Sequence, residues 1–184
     1  MISLRDRVLR FLLKEGKPVS LRELVRRLDL DKETRDELKG LLGRLIEDGE
    51  VVQIRGDRVG LPSKMNLAVG RLNCNPAGYG FVIPEHATGR KDDVYVSAVN
   101  MKEALHGDRV VARIERHTPK GPEGRIIRVL ERKLQRIVGR YEDDGRFGGH
   151  VVPFDKRVLH ELFVPPGDNG GARPGEMVSA EMTR

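Results

Sequence analysis

The sequence predicts a multidomain chain in which a small α-helical domain precedes two tandem all-β barrels, the second of them truncated. The first observation is a series of capped amphipathic helices in residues 1–63. The second is a change, after residue 64, to short strand-like runs separated by glycine and proline. The third is an internal repeat that divides the remainder into 64–132 and 133–184. These three segments are the predicted domains.

The N-terminal segment carries a helix start signal in front of each of three apolar stripes. Ser3, Ser20 and Asp31 are predicted N-caps, and Glu23 completes a capping-box pattern with Ser20. A loosely alternating hairpin over 51–61 follows the third helix. Three compact helices closed by a small hairpin are typical of a winged helix-turn-helix domain, which we predict for residues 1–63.

Beyond residue 64, four landmarks recur in the same order at a spacing of 68 or 69 residues. The pairs are Gly70-Arg71 with Gly139-Arg140, Phe81-Val82-Ile83-Pro84 with His150-Val151-Val152-Pro153, Val94-Tyr95-Val96 with Leu162-Phe163-Val164, and Gly107-Asp108-Arg109-Val110 with Gly175-Glu176-Met177-Val178. Short strands that recur in this way predict two small β-barrels of the same design.

The two copies differ in length. The first continues into one more strand-like run, residues 125–130, whereas the second reaches Arg184 before any counterpart of that run. Because a barrel without its last strand has unpaired edges, we expect the second barrel to be incomplete at its C-terminus. The alternative is that the second copy is a shorter variant of the same fold.

Composition and charge narrow the class of protein. Of the 184 residues 38% are hydrophobic and 34% are charged, with a net charge of +6. The charge is +2 over residues 1–63, +4 over 64–132 and zero over 133–184, which favours a polyanionic partner for the first barrel. Apolar runs fall far short of the roughly 20 residues of a membrane helix, and the charged first ten residues do not resemble a secretory signal. We expect a cytoplasmic protein without a membrane partner.

The chain lacks a recognisable catalytic constellation. Its five histidines, His86, His106, His117, His150 and His160, are not at metal-ligand spacing. The pairs Asp92-Asp93 and Asp143-Asp144 do not converge on one ion if they lie on strands, because adjacent residues there face opposite ways. A single cysteine, Cys74, excludes an internal disulfide and is interpreted as a core residue. We expect no enzymatic activity, cofactor or metal in this chain.

Aromatic residues give the strongest indication of function. Tyr79 and Phe81 are two residues apart on one predicted strand, and Tyr95 lies on the next. Three neighbouring rings on a barrel face can stack on unpaired bases, and Arg71, Arg90 and Lys91 are available for phosphates. The alternative is that the rings fill the barrel interior, although inward-facing Val82 and Val94 would direct Phe81 and Tyr95 outward.

Two motifs carry a family resemblance. Gly78-Tyr79-Gly80-Phe81-Val82 and Asp93-Val94-Tyr95-Val96 resemble the two ribonucleoprotein motifs of cold-shock domains, which are five-stranded OB-fold barrels. The run Ala104-Leu105-His106-Gly107-Asp108-Arg109-Val110, and the order of a winged helix before two cold-shock domains, resemble the N-terminal region of the bacterial ribonuclease R family.

The resemblance implies the RNA-binding, substrate-loading region of a magnesium-dependent 3′-to-5′ exoribonuclease. In that family the catalytic domain, whose aspartates bind the metal, and an S1 domain follow the second cold-shock domain. The expected partners are therefore single-stranded or structured RNA and those catalytic and S1 domains. Magnesium is expected only in the catalytic domain.

Some residues depart from the cold-shock pattern. Ala77 replaces a frequent lysine, and Ser97-Ala98 replaces a His-Phe pair. Phe163 is the predicted RNA-binding aromatic of the second copy, but no aromatic lies two residues before His150. We therefore expect the second copy to bind RNA more weakly.

A winged helix also raises a second hypothesis, a nucleic-acid-binding regulator that acts without an enzyme domain. Its third helix would then read the DNA major groove. Residues 32–48 contain four basic and five acidic residues. Because phosphates repel a helix with net negative charge, this hypothesis is the less favoured one.

Overall fold

A computed structural model describes residues 3–54, 56–85 and 89–183. The chain divides into two compact units, Met1–Val69 and Gly70–Arg184. The boundaries at 63/64 and 132/133 stay predictions. In the part of the chain that is described, no helix is both long enough and apolar enough to cross a membrane.

The first unit contains three helices and a small antiparallel sheet. In chain order the elements are α1 (Leu4–Glu15), β1 (Val19–Ser20), α2 (Leu21–Arg27), α3 (Lys32–Glu47), β2 (Val52–Ile54) and β3 (Arg58–Gly60). The sheet order is β1-β3-β2. Its hairpin, β2 and β3, was expected from the sequence, whereas the two-residue strand β1 was not.

All three predicted N-caps are confirmed. The hydroxyl of Ser3 accepts a hydrogen bond from the Asp6 amide, that of Ser20 from Glu23, and the Asp31 carboxylate from the Thr34 amide. The helices bury their apolar stripes in one core that includes Val8, Leu12, Leu24, Leu38 and Leu45.

A closed five-stranded barrel comes next, and its first strand crosses the boundary between the two units. Its strands are β4 (Leu67–Cys74), β5 (Gly80–Pro84), β6 (Val94–Val96), β7 (Arg109–Thr118) and β8 (Gly121–Glu131), in the order β4-β5-β6-β8-β7. A short helix α4 (Ala98–Met101) connects β6 to β7. Strands β6 and β8 are parallel, and the other described strand pairs are antiparallel.

A four-stranded open sheet follows: β9 (Arg136–Asp143), β10 (Gly149–Pro153), β11 (Leu162–Val164) and β12 (Met177–Glu181), in the order β11-β10-β9-β12. These strands repeat β4, β5, β6 and β7 at offsets of 68 or 69 residues. No strand in the described part of the chain corresponds to β8, so the sheet is open between β11 and β12.

The repeat extends to individual backbone hydrogen bonds. The Leu72 amide donates to Asp108 O and the Gly107 amide to Leu72 O, at 2.9 and 2.7 Å. The Tyr141 amide donates to Glu176 O and the Gly175 amide to Tyr141 O, at 2.9 and 2.8 Å. Equivalent backbone hydrogen bonds in the two copies thus confirm the internal repeat.

A buried carboxylate ties the barrel to the segment that leads into β9. The Asp108 side chain is fully buried. Its oxygens accept hydrogen bonds from the Leu105 amide (2.9 Å), the Arg132 guanidinium (2.7 Å) and the Lys133 amide (3.1 Å). Because charged hydrogen bonds in a buried site are strong, this group fixes the path of the chain between the barrel and the open sheet.

Candidate nucleic-acid interface

Three aromatic rings meet on the outer face of the barrel. The ring centroids of Tyr79 and Phe81 lie 5.9 Å apart, and Tyr95 lies 5.7 Å from each of them. Phe81 on β5 is directly opposite Tyr95 on β6 in the strand register. Tyr79 immediately precedes β5. We call these three residues the aromatic platform.

Strand alternation puts the platform on the outside. Val82 and Val94 are fully buried, so their neighbours Phe81 and Tyr95 face outward. Phe81 is 37% exposed, and the other two residues are half-buried. A Cβ on inward-facing Gly80 would lie 3.0 Å from Leu72 Cδ1, so a side chain at this position would fit only if its neighbours moved by a few tenths of an ångström. The alternative that the rings fill the barrel core is wrong.

Residues of β4 extend the same face. Asn73 is exposed and lies opposite Phe81, and Arg71 lies opposite Ile83. The Arg71 guanidinium donates to Gly107 O (3.2 Å) and lies 3.8 Å from the Glu131 carboxylate. Asn73 was missed in the sequence analysis, although the strand alternation that places Arg71 and Phe81 outside would have found it.

The other two predicted cations lie at one end of this face. Arg90 and Lys91 are exposed on a short 3-10 helix (Arg90–Asp92) that ends just before β6. Since β5 and β6 are antiparallel, this end of β6 lies beside the last residues of β5, away from Tyr79. The structure therefore brings the three rings together and places Arg90 and Lys91 at the Ile83 end of the platform.

The corresponding face of the open sheet has a different chemical character. Phe163 on β11 is 63% exposed and lies opposite His150 on β10, which in turn lies opposite Glu142 on β9. The Asp144 carboxylate is 2.9 Å from His150 Nδ1, and Glu142 and Glu161 are each 3.6 Å from Nε2. Hydrogen bonding to Asp144 is the largest effect that raises the pKa of His150.

The open sheet also has no counterpart of Tyr79. The Asn75 amide donates to Tyr79 O (2.7 Å), and the Asp144 amide donates to Gly148 O (2.8 Å), so Gly148 occupies the equivalent position. Its φ is +100°, and a Cβ there would lie 2.3 Å from Val164 O. Any side chain at this position would therefore require a backbone rearrangement.

Cys74 and the histidines do not form a nucleophilic site in the described part of the chain. Cys74 is buried, and burial raises its pKa to about 11, which leaves the thiol neutral. The fold does bring His106 close to it, but His106 Nδ1 accepts a hydrogen bond from the Cys74 backbone amide (3.1 Å). His86 lies outside the described residues.

The acidic pair Asp143-Asp144 makes contacts within the protein. Asp143 accepts a hydrogen bond from the Gly145 amide (2.8 Å), and Asp144 pairs with His150. Among residues 3–54, 56–85 and 89–183, no group of three His, Cys, Asp or Glu side chains could hold a metal ion.

Comparison with known proteins identifies the relatives of this chain. Residues 70–129 match the family described as the ribonuclease B OB domain. Ribonuclease R of Acidithiobacillus ferrooxidans is 34% identical over 98% of this chain and 41% of its own length. Ribonuclease R of Escherichia coli K12 is 39% identical over 98% of this chain and 22% of its own length. Over nearly its whole length this chain is similar to bacterial ribonuclease R.

The resemblance to ribonuclease R, which was based on the run from Ala104 to Val110 and on the order of the segments, is thus confirmed. The match to the OB domain falls within the closed barrel β4–β8. The chain spans less than half the length of these two ribonuclease R proteins. A solved structure of Mycoplasma genitalium ribonuclease R in complex with ribose-methylated single-stranded RNA is 21% identical, with a TM-score of 0.41 over 50% of this chain and 14% of that chain.

Proposed function

We propose that this chain binds single-stranded RNA at the aromatic platform and is the substrate-loading region of a ribonuclease R-like 3′-to-5′ exoribonuclease. The observation that carries the proposal is the mutual contact of Tyr79, Phe81 and Tyr95 on the outer face of the second and third barrel strands. This is the face on which OB-folds bind oligonucleotides. Each ring can stack on one base, whatever its identity.

Cations at the rim would bind the phosphates. Arg90 and Lys91 are exposed at one end of the platform, and Arg71 lies on the same outer face as Phe81. The net charge of +4 over residues 64–132 attracts an anionic strand to this barrel rather than to the neutral segment that follows. Phe163 would be a weaker, secondary contact because carboxylates surround its neighbour His150.

The proposal includes the finer domain assignment. The three helices and three-stranded sheet of the first unit are consistent with a winged helix-turn-helix, and we assign it that fold. We assign the open sheet to a second OB-fold, in which residues 136–183 include no counterpart of β8. A regulator that reads DNA through α3 is disfavoured by the net negative charge of residues 32–48.

We further propose that catalysis and magnesium binding belong to a separate catalytic domain, and that the protein is cytoplasmic. This chain alone should not cleave RNA, since its described side chains offer no metal site. The test is incubation with 3′-labelled single-stranded RNA and magnesium. Magnesium-dependent release of mononucleotides that persists after repurification would contradict the proposal.

The platform itself is tested by alanine substitution. Phe81→Ala or Tyr95→Ala should weaken binding of a single-stranded RNA by roughly five- to a hundred-fold, because stacking contributes about 1–3 kcal/mol per base. The slope of log affinity against log salt should hardly change, since no cation is lost. Arg90→Ala or Lys91→Ala should instead flatten that slope by about 0.7.

Phe154→Ala is the matched control for these variants. Phe154 is 56% exposed and lies outside the platform, so its loss should leave the RNA affinity unchanged. The melting temperature is measured for each variant. If the Phe81 and Tyr95 variants remain folded and bind RNA as tightly as the parent, the platform does not bind RNA.

A further inference from the structure

A cavity opens beside one ring of the aromatic platform. It has a volume of about 210 Å³, and its lining includes Tyr95, Ser97, Asn100, Arg116 and Glu123. Tyr95 and Glu123 are directly paired across β6 and β8. The cavity is therefore continuous with the platform at the β8 side of the barrel.

The charged groups of the cavity are already paired. Arg116 Nε lies 2.6 Å from Glu123 Oε2. Glu115, which also lines the cavity, lies 3.1 Å from the Arg125 guanidinium. The lining residues carry two carboxylates and one guanidinium, which disfavours a phosphate. A neutral group is the better occupant.

Two neutral polar side chains remain available. The Ser97 hydroxyl and the Asn100 carboxamide make no side-chain hydrogen bond within the described ranges. The Asn100 backbone amide donates to Ser97 O at 2.9 Å, which holds both residues on the first turn of α4. A carboxamide presents a donor and an acceptor side by side, the pattern that base edges complement.

We propose that this cavity accepts one nucleobase of the bound RNA and that Asn100 reads its hydrogen-bonding edge. The inference rests on the proposed RNA-binding function. The volume of the cavity, about 210 Å³, is below the 300–1,000 Å³ typical of pockets for whole small ligands and suits a single base. The base would stack on Tyr95, and the carboxamide would select among bases that every platform ring accepts equally.

The test compares the affinities of the whole chain for oligo(A), oligo(C) and oligo(U) RNA and for DNA oligomers of matching sequence. The parent should prefer one base. Asn100→Ala should weaken binding of the preferred oligomer by about three- to tenfold and of the others by less than twofold, since a single hydrogen bond is lost. Val99→Ala, at a neighbouring residue that is 88% exposed and does not line the cavity, should change none of them.

Several results would overturn the proposal. Equal parental affinities for all bases would remove the subsite and leave RNA binding by the platform intact. If Asn100→Ala lowered the affinity for every oligomer equally, Asn100 would contact the RNA without distinguishing between bases. A change confined to the ratio of RNA to DNA affinity would assign the carboxamide to the 2′-hydroxyl. Absence of any RNA binding by the parent would instead refute the proposed function.

Discussion

The outer faces of the closed barrel and the open sheet share one backbone frame and differ in what they present. Phe81 lies between Asn73 and Tyr95 on three paired strands, and His150 lies between Glu142 and Phe163 on the corresponding strands. The closed barrel thus presents an aromatic face with an amide beside it. On the strands of the open sheet, the exposed ring of Phe163 lies beside an imidazole that three carboxylates surround.

The difference teaches that the fold alone does not determine the chemical character of this face. Strand register and turn hydrogen bonds are equivalent in the two copies, whereas the residues at a few outward positions differ in aromatic character and charge. Stacking surfaces favour single strands, and clustered carboxylates repel the phosphates between the bases.

The largest expected effect comes from giving the barrel the residues of the open sheet. The triple variant Asn73→Glu, Tyr79→Gly, Phe81→His removes two rings and adds a negative charge. Its affinity for single-stranded RNA should fall by about thirty-fold or more, since each of the two stacked bases contributes about 1–3 kcal/mol. Fluorescence anisotropy at fixed salt measures this loss.

The matched control makes the reverse change in the open sheet. Glu142→Asn with His150→Phe should leave the affinity the same or raise it. If the control weakens binding as much as the triple variant does, the open sheet is the main RNA-binding face and the comparison fails.

A second expected difference concerns local stability. The Leu72 and Tyr141 amides donate equivalent hydrogen bonds, both at 2.9 Å, in the closed barrel and the open sheet. Because the open sheet has unpaired edges, the Tyr141 amide should exchange with solvent several-fold faster than the Leu72 amide. Weaker protection should extend over residues 138–183 relative to 69–130. Equal protection would show that the open sheet is closed by a partner or is stable without a fifth strand.

The smallest effect expected is a pH dependence at His150. Its pKa is raised in the folded state, chiefly by the hydrogen bond to Asp144. Because the pKa of His150 is higher in the folded state, its protonation stabilises the fold fully at a pH below the unfolded-state pKa of about 6.5. This stabilisation is lost as the pH rises through the folded-state pKa. His150→Gln should therefore lower the melting temperature more at pH 5.5 than at pH 8.5. A loss that is equal at both values, or greater at pH 8.5, would contradict this ion-pair assignment.

Local signals made much of the architecture predictable. The caps Ser3, Ser20 and Asp31 each depend on a few neighbouring residues, and the outward orientation of Phe81 follows from alternation with Val82. The internal repeat located the strands of the open sheet. These features require only short-range geometry or the comparison of one segment with another.

Other features depend on contacts between distant segments. The two residues of β1 are strand only because they pair with β3. The proximity of Cys74 and His106, and the carboxylates around His150, arise from chain segments that the fold brings together. The internal repeat makes Glu142 the counterpart of Asn73, so its outward position was predictable. No local pattern, however, places Glu161 beside His150.

Gly148 constrains how the two faces can change over time. At Tyr79 a single substitution removes a ring without disturbing the backbone. At Gly148 the reverse step is blocked for two reasons. A new side chain would clash with the Val164 carbonyl, and the φ of +100° is unfavourable for any residue other than glycine. To gain a ring at Gly148, the turn and the adjoining strand would have to change together. Gaining a stacking position therefore takes more mutations than losing one. A duplicated domain of this kind can lose the ring at the Tyr79 position by one mutation, whereas the copy with glycine at that position cannot regain it by one.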